Sequence, residues 1–480
     1  MIRTLAVVLA LATPALGHAH SFGEPYRLPM PYWMYIYGAM AALALSFLVM
    51  GFFLTRADAQ LKPPQYAFGD SLLGRALHAL RMPLLVLSSM AMLLAIVTGL
   101  CGTIDPYRNF NMTYFWIVFA LGMLYVSSLL GDIYAAISPW RGLSTLFSER
   151  TLAQGRIRYP AEQLAYWPAV VLYMSFIALE LLGRTRPFSL SLILLAYCAL
   201  NLFAIWLIGA RAWFRYGEFF AVMFRLAAQL APIAYAPDQS GAQRLRLRWP
   251  LSGLLHQRVE HLSLLVFILL MLSSTAYDGL RETSMWFNLF WKDPFGWLTP
   301  WLGQPPIYAY VALRPWYVAY ELLWLIASPF IYLGLFVLFL WLGRIVTRSA
   351  LPLSELALRF GYSLLPIALV YHATHYYTLL LNQGVKIRAL VSDPFGWGWN
   401  LFGSAISGRV PIIPDMGVVW NTQVWLILTG HVASVYLAHA EALRSFPSRT
   451  QATLSQIPML LLMVLFTGIG LWILAQPLQG

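Results

Sequence analysis

Apolar residues in this chain fall in long unbroken blocks, and polar and basic residues collect between them. A helix needs about 20 apolar residues to cross a bilayer. Stretches of that order run approximately Trp33–Leu54, Pro83–Cys101, Met112–Tyr134, Leu164–Leu182, Ser189–Gly209, Leu262–Tyr277, Trp316–Leu342, Phe360–Gln383, Val418–Leu443 and Ile457–Ala475. The pattern predicts an all-α integral membrane protein of about ten transmembrane helices, joined on one side by aromatic-rich extracytoplasmic loops.

Composition agrees: 60% of residues are hydrophobic and 10% charged, against about 25% charged in a soluble domain. Residues 1–19 have the form of a signal peptide, with Arg3, the apolar run Leu5–Leu16 and a Gly17-His18-Ala19 cleavage site. The rest, 20–480, forms a single polytopic domain. Its mature amino terminus and its carboxyl terminus are both expected outside a bacterial cytoplasmic (inner) membrane.

This alternation puts about two-thirds of the 31 basic residues in inner loops, as the positive-inside rule requires. The net charge of +12 is therefore topological, and nucleic acid is not implied. The inner loop 210–260 contains a fairly apolar stretch, Trp213 to Tyr235, interrupted by Arg215, Glu218 and Arg225. It is expected to lie on the inner membrane surface as an amphipathic helix.

The outer loops, 278–315 and 384–417, are rich in Trp, Phe, Pro and Gly. Both contain Asp-Pro-Phe-Gly-Trp, at Asp293–Trp297 and Asp393–Trp397. This points to a span pair followed by a parallel copy, capped by aromatic side chains at the interface. Cys101 and Cys198 form neither a disulfide framework nor a metal motif.

The candidate chemistry is a set of intramembrane histidines. His372 and His375 share a helix face, and the next span carries His431 near the midplane and His439 deeper. Three imidazoles converging there fit a copper, zinc or iron site, or else hydrogen-bond between helices. His439 with His261, beside Glu260, gives a second pair at another depth, as in a two-haem b cytochrome, unless Glu260 and His261 are simply interfacial.

Asp278 and Asp393 are the carboxylates able to complete a metal site or act as general base, though Asp278 equally caps a helix or pairs with Arg281. Glu180, Glu321 and Asp132 are further acidic groups near span ends, suited to proton relay or inter-helix hydrogen bonds. Cleavage after Ala19 exposes an amino-terminal His20, a copper-binding chemistry that lacks a second histidine nearby. No P-loop, dinucleotide fingerprint, His-Glu-x-x-His or Gly-x-Ser-x-Gly motif is present.

The segments His20-Ser-Phe-Gly-Glu-Pro-Tyr-Arg-Leu-Pro-Met-Pro31, Tyr37-Gly-Ala, Leu45-Ser-Phe, Ser392-Asp-Pro-Phe-Gly-Trp-Gly-Trp-Asn-Leu-Phe-Gly403, Gly430-His-Val-Ala433 and Leu437-Ala-His439 resemble bacterial multi-span membrane proteins known as fenitrothion hydrolases. The resemblance runs from first span to last. It implies a membrane-embedded metal-dependent hydrolase, or hydrolase component, acting on lipophilic phosphoesters.

Such chemistry needs a metal-activated water. Its ligands would come from His372, His375, His431 and His439, with Asp278 or Asp393 as catalytic carboxylates. The alternatives are an intramembrane redox or metal-handling protein, as a haem b electron carrier or a copper transporter, and a transporter or assembly factor with structural histidines. The lipid bilayer is the expected partner, with room for further membrane or periplasmic subunits.

Overall fold

A computed structural model describes residues 31–54, 65–67, 71–145, 147–148, 151–152, 155–237, 243–412 and 415–475. The signal segment 1–19 and His20 lie outside the described residues. The principal helices are α1 (Tyr32–Phe53), α2 (Leu72–Cys101), α3 (Phe110–Leu130), α4 (Trp167–Leu182), α5 (Pro187–Ile208) and α6 (Phe219–Ala228). They are followed by α7 (Leu262–Arg281), α8 (Tyr310–Thr347), α9 (Leu365–Asn382), α10 (Met416–Ser445) and α11 (Arg449–Ala475). Among the described residues nine helices are long and apolar enough to cross a membrane. The remaining expected span, α4, has 16 residues. The protein is an all-α multi-span membrane protein.

The connections sort cleanly to two ends. At one end, β1 (Gln65–Ala67), β2 (Ile233–Pro237) and β3 (Gln243–Arg248) form a small antiparallel sheet in the order β1-β3-β2. Arg258 pairs with Glu355, Arg359 reaches Ser445, and Arg449 donates to the last carbonyls of α1. At the other end, Thr103 N–H bonds to Phe395 O, and Arg281 to Leu181 O. The described parts of the loops expected inside lie at the first, basic end. The loops expected outside gather at the second, aromatic end.

The two Asp-Pro-Phe-Gly-Trp segments fold alike. Asp293 accepts the amides of Trp297, Leu298 and Thr299, and Asp393 those of Trp397 and Gly398. Gly296 and Gly396 sit at φ +66° and +70°, a left-handed conformation that glycine adopts without a Cβ penalty. Phe295 stacks on Trp297 at 5.1 Å, and Phe395 on Trp397 at 4.4 Å. Each turn follows a span and a short helix, Ser284–Trp291 after α7 and Ile387–Ser392 after α9.

α7 is the hub, buried from Ser263 to Gly279 and packed on α4, α8, α9 and α11. A Cβ on Gly279 would stand 2.6 Å from Ile473 Cγ2, and one on Gly430 would stand 2.2 Å from Val370 Cγ2. Small residues here let helices approach closely, as membrane packing requires.

The stretch Trp213 to Tyr235 does not lie on the surface as an amphipathic helix. From Gly209 the chain climbs into the bundle, turns at Glu218, and descends as α6. The rings of Phe219 and Phe220 pack within the bundle on Phe115, Phe119, Tyr173 and Phe176. The physical reason is that α6 is apolar all round except for Arg225, which satisfies itself on the carbonyls of Phe214 and Arg215. A helix hydrophobic on every side belongs inside protein. Both ends of α6 are capped: Glu218 accepts the amides of Phe220 and Ala221, and Arg248 donates to Ala228 O at 2.7 Å.

Candidate functional site

α9 brings three polar side chains, His372, His375 and Tyr376, together in the aromatic half of the bundle. His375 Nε2 lies 2.7 Å from Asp278 Oδ2 on α7. Tyr125 on α3 approaches His372 Nδ1 at 3.0 Å and donates to the His372 carbonyl at 3.3 Å. Tyr376 donates to Glu180 Oε1 on α4 at 2.8 Å, and its ring packs between the two imidazoles at 4.7 and 4.8 Å. One connected patch thus joins α3, α4, α7 and α9. Such pairing offsets the cost of placing ionisable groups at membrane depth.

The His375–Asp278 pair is the chemically distinctive element. Asp278 is only 2% exposed, whereas the His375 side chain keeps 20% of its surface open. An ionised Asp278 accepts a hydrogen bond from Nε2–H, which orients the ring and leaves Nδ1 as the basic edge. Just beyond, toward the aromatic end, Arg281 is held by Glu321 at 3.2 Å and Glu282 at 3.5 Å. Arg281 is thus paired with Glu321 and Glu282, and Asp278 bonds His375.

His431 does not join this group. Helices α9 and α10 are packed neighbours, and Gln423 Nε2 donates to Thr374 O at 3.1 Å. The stripe of α9 that meets α10 runs through Val370 and Thr374. At 100° per residue, His375 is turned about 100° from Thr374 and His372 about 160°. They face α7 and α3, away from α10. His431 directs Nδ1 to Ile427 O at 2.8 Å, and its buried Nε2 has no hydrogen-bond partner.

His439 is fully buried against Phe47, with neither ring nitrogen hydrogen-bonded. His261 caps α7 by accepting Ser263 N–H. Glu260 pairs with Arg215 and Tyr166 at the basic end.

Three or four ligands are what copper or zinc demands. No three His, Cys, Asp or Glu side chains among the described residues stand close enough to hold one ion. The donor set therefore does not fit the metal site expected from His372, His375, His431 and His439. Asp393 is likewise occupied, its carboxylate folding the aromatic turn more than one helix away in sequence from the histidines.

Tyr125 and Tyr376 were not legible as site residues. Tyr376 follows His375 directly, but nothing in the spacing reveals that it reaches Glu180. Comparison of the chain with family models, curated proteins and solved structures returns no match.

Proposed function

We propose that this chain is a proton-handling protein of a lipid membrane, with His375 and Asp278 as its acid–base pair. The observation that carries the reading is the 2.7 Å contact between a buried carboxylate and an imidazole that keeps one edge open. Asp278 stabilises the protonated ring and fixes its orientation. Nδ1 takes up and returns the proton. Glu180, held by Tyr376, is the adjacent carboxyl to which that proton passes. The orientation follows from the charge bias: basic end toward the cytoplasm of a bacterial inner membrane, aromatic end outward.

A second reading uses the same pair as a general base in hydrolysis of lipophilic phosphoesters, as the sequence resemblance implies. It is favoured by the partly exposed His375 side chain and by the exposed Trp297, Trp301 and Trp397 around the aromatic end, which suit an apolar substrate arriving from the bilayer. His375 Nδ1 would take a proton from water as its oxygen bonds to phosphorus, and the aryloxide would leave with its electron pair.

The purified chain, reconstituted into liposomes loaded with a pH-sensitive dye, tests both. Proton movement lost in His375→Gln supports the first reading. Aryloxide release from an aryl phosphotriester, lost in the same variant and insensitive to chelator, supports the second. Neither signal above empty liposomes refutes the acid–base assignment.

A further inference from the structure

The proton-handling reading uses only the aromatic half of the bundle, yet a second buried carboxyl lies in the other half. Glu218 is 0% exposed at the apex of the re-entrant segment. Its oxygens receive the Tyr197 hydroxyl from α5 and the amides of Phe220 and Ala221. Tyr134 and Arg141, from the two short helices Tyr134–Ile137 and Pro139–Ser144, face it as well. Arg141 lies over the Phe214 ring at 4.4 Å, and its buried Nε carries no hydrogen bond. Asp132, partly exposed at the basic end, faces Arg141.

Between Glu218 and Glu180 stands a layer of aromatic rings. Tyr197 touches Phe219 and Phe220; these touch Tyr173 and Phe176, which lie on α4 two turns and one turn before Glu180. The backbone on both flanks is wound wide, with i→i+5 geometry, over Thr113–Gly122 and Trp213–Gly217. Such windings are uncommon and concentrate at functional sites.

We infer that Glu218 is a second proton-binding site, the basic-end station of a path whose aromatic-end station is Glu180 with His375 and Asp278. This rests on the proton-handling reading above. The chemistry permits it without loss of any partner. The two amides need only acceptor lone pairs, which a protonated carboxyl retains. The Tyr197 hydroxyl both donates and accepts, so it can turn to receive the carboxyl O–H. Asp132 and Arg141 place charge on the basic-end side of the site. The layer of Phe176, Phe219 and Phe220 separates the two stations and prevents free leakage.

The test is an acid-minus-alkaline infrared difference spectrum of the full chain in lipid nanodiscs, between about pH 5 and pH 9. The expected result is a protonated-carboxyl C=O band that Glu218→Gln removes and Tyr197→Phe shifts. Glu180→Gln should leave that band in place and remove a separate one. Glu218→Gln keeps an oxygen for only one of the two amides, but Tyr197→Phe retains the carboxyl itself, so a band absent through misfolding is recognised by comparing the two. A spectrum in which no band follows Glu218, its carboxylate staying ionised throughout, overturns the inference. Since the band is read at Glu218 itself, the outcome is separable from whether His375 carries a proton.

Discussion

His375 and Asp278 meet across the α7–α9 contact with Nε2 and Oδ2 2.7 Å apart. Removing the carboxylate strands a buried donor, a loss of about 1–3 kcal/mol. Asp278→Ala is therefore expected to lower the unfolding temperature in detergent by that equivalent. Asp278→Asn keeps an acceptor and should remain near wild type in stability while losing proton transfer. Thermal unfolding and dye-reported proton movement on the same preparations check both.

Tyr376 supplies the donor to Glu180 Oε1. Tyr376→Phe leaves that buried carboxyl short of a partner and should cost about 1–3 kcal/mol. Tyr125→Phe removes a contact to a partly open imidazole and should cost less, about 0.5–1.5 kcal/mol. The order of the two losses in thermal melts is the quantity to compare.

The α9–α10 contact depends on a glycine. A Cβ at Gly430 would sit 2.2 Å from Val370 Cγ2, so Gly430→Ala overpacks the seam at about 1–3 kcal/mol. Adding Val370→Ala relieves the clash. The double variant should recover much of the stability, measured by the same melts.

The first aromatic turn gives a pH prediction. Burial opposes the Asp293 charge, but the amide and hydroxyl of Thr299 and the amides of Leu298 and Trp297 outweigh it and hold the carboxyl below its ordinary range. A carboxyl depressed in the folded state stabilises the turn fully above its unfolded value, about pH 4. That contribution fades as pH falls through the lower folded value. Trp297 fluorescence should hold steady down to about pH 4 and shift only below it, whereas Asp293→Asn should be shifted already at neutral pH.

Most of the bundle was legible because spanning length and apolarity are strong, local signals. α1, α5 and α10 begin and end close to the expected boundaries, and α11 ends at Ala475 as expected but starts eight residues earlier, at Arg449. The extension of α2 back to Ser71 was not, since Arg75, His78 and Arg81 interrupt the apolar run although a helix carries them easily on its exposed side. α6 was misplaced for a subtler reason. Arg215, Glu218 and Arg225 read as a polar face, but Arg215 pairs with Glu260 at the basic end, Glu218 caps α6 and Arg225 binds backbone carbonyls.

The alternation Gln-Arg-Leu-Arg-Leu-Arg over 243–248 has the period of a strand and was passed over in a chain dominated by helices. At the site, Asp278 and His375 were both marked by being ionisable within apolar spans. Their pairing was not readable, because depth along a helix follows from sequence while the direction each face takes depends on which neighbours pack where. The same rotation of α9 that unites His375 with Asp278 separates it from His431.

The most direct measurement of the central claim is solid-state NMR of the chain in bilayers with nitrogen-15 histidine, His375 being assigned by its loss in His375→Gln. The account predicts that Nε2 stays hydrogen-bonded to a carboxylate while Nδ1 gains and loses a proton between about pH 5 and pH 9. It also predicts that Asp278→Asn alters this titration, since the carboxylate beside Nε2 is gone. A His375 signal that does not change over that range, or that titrates identically in Asp278→Asn, would contradict it.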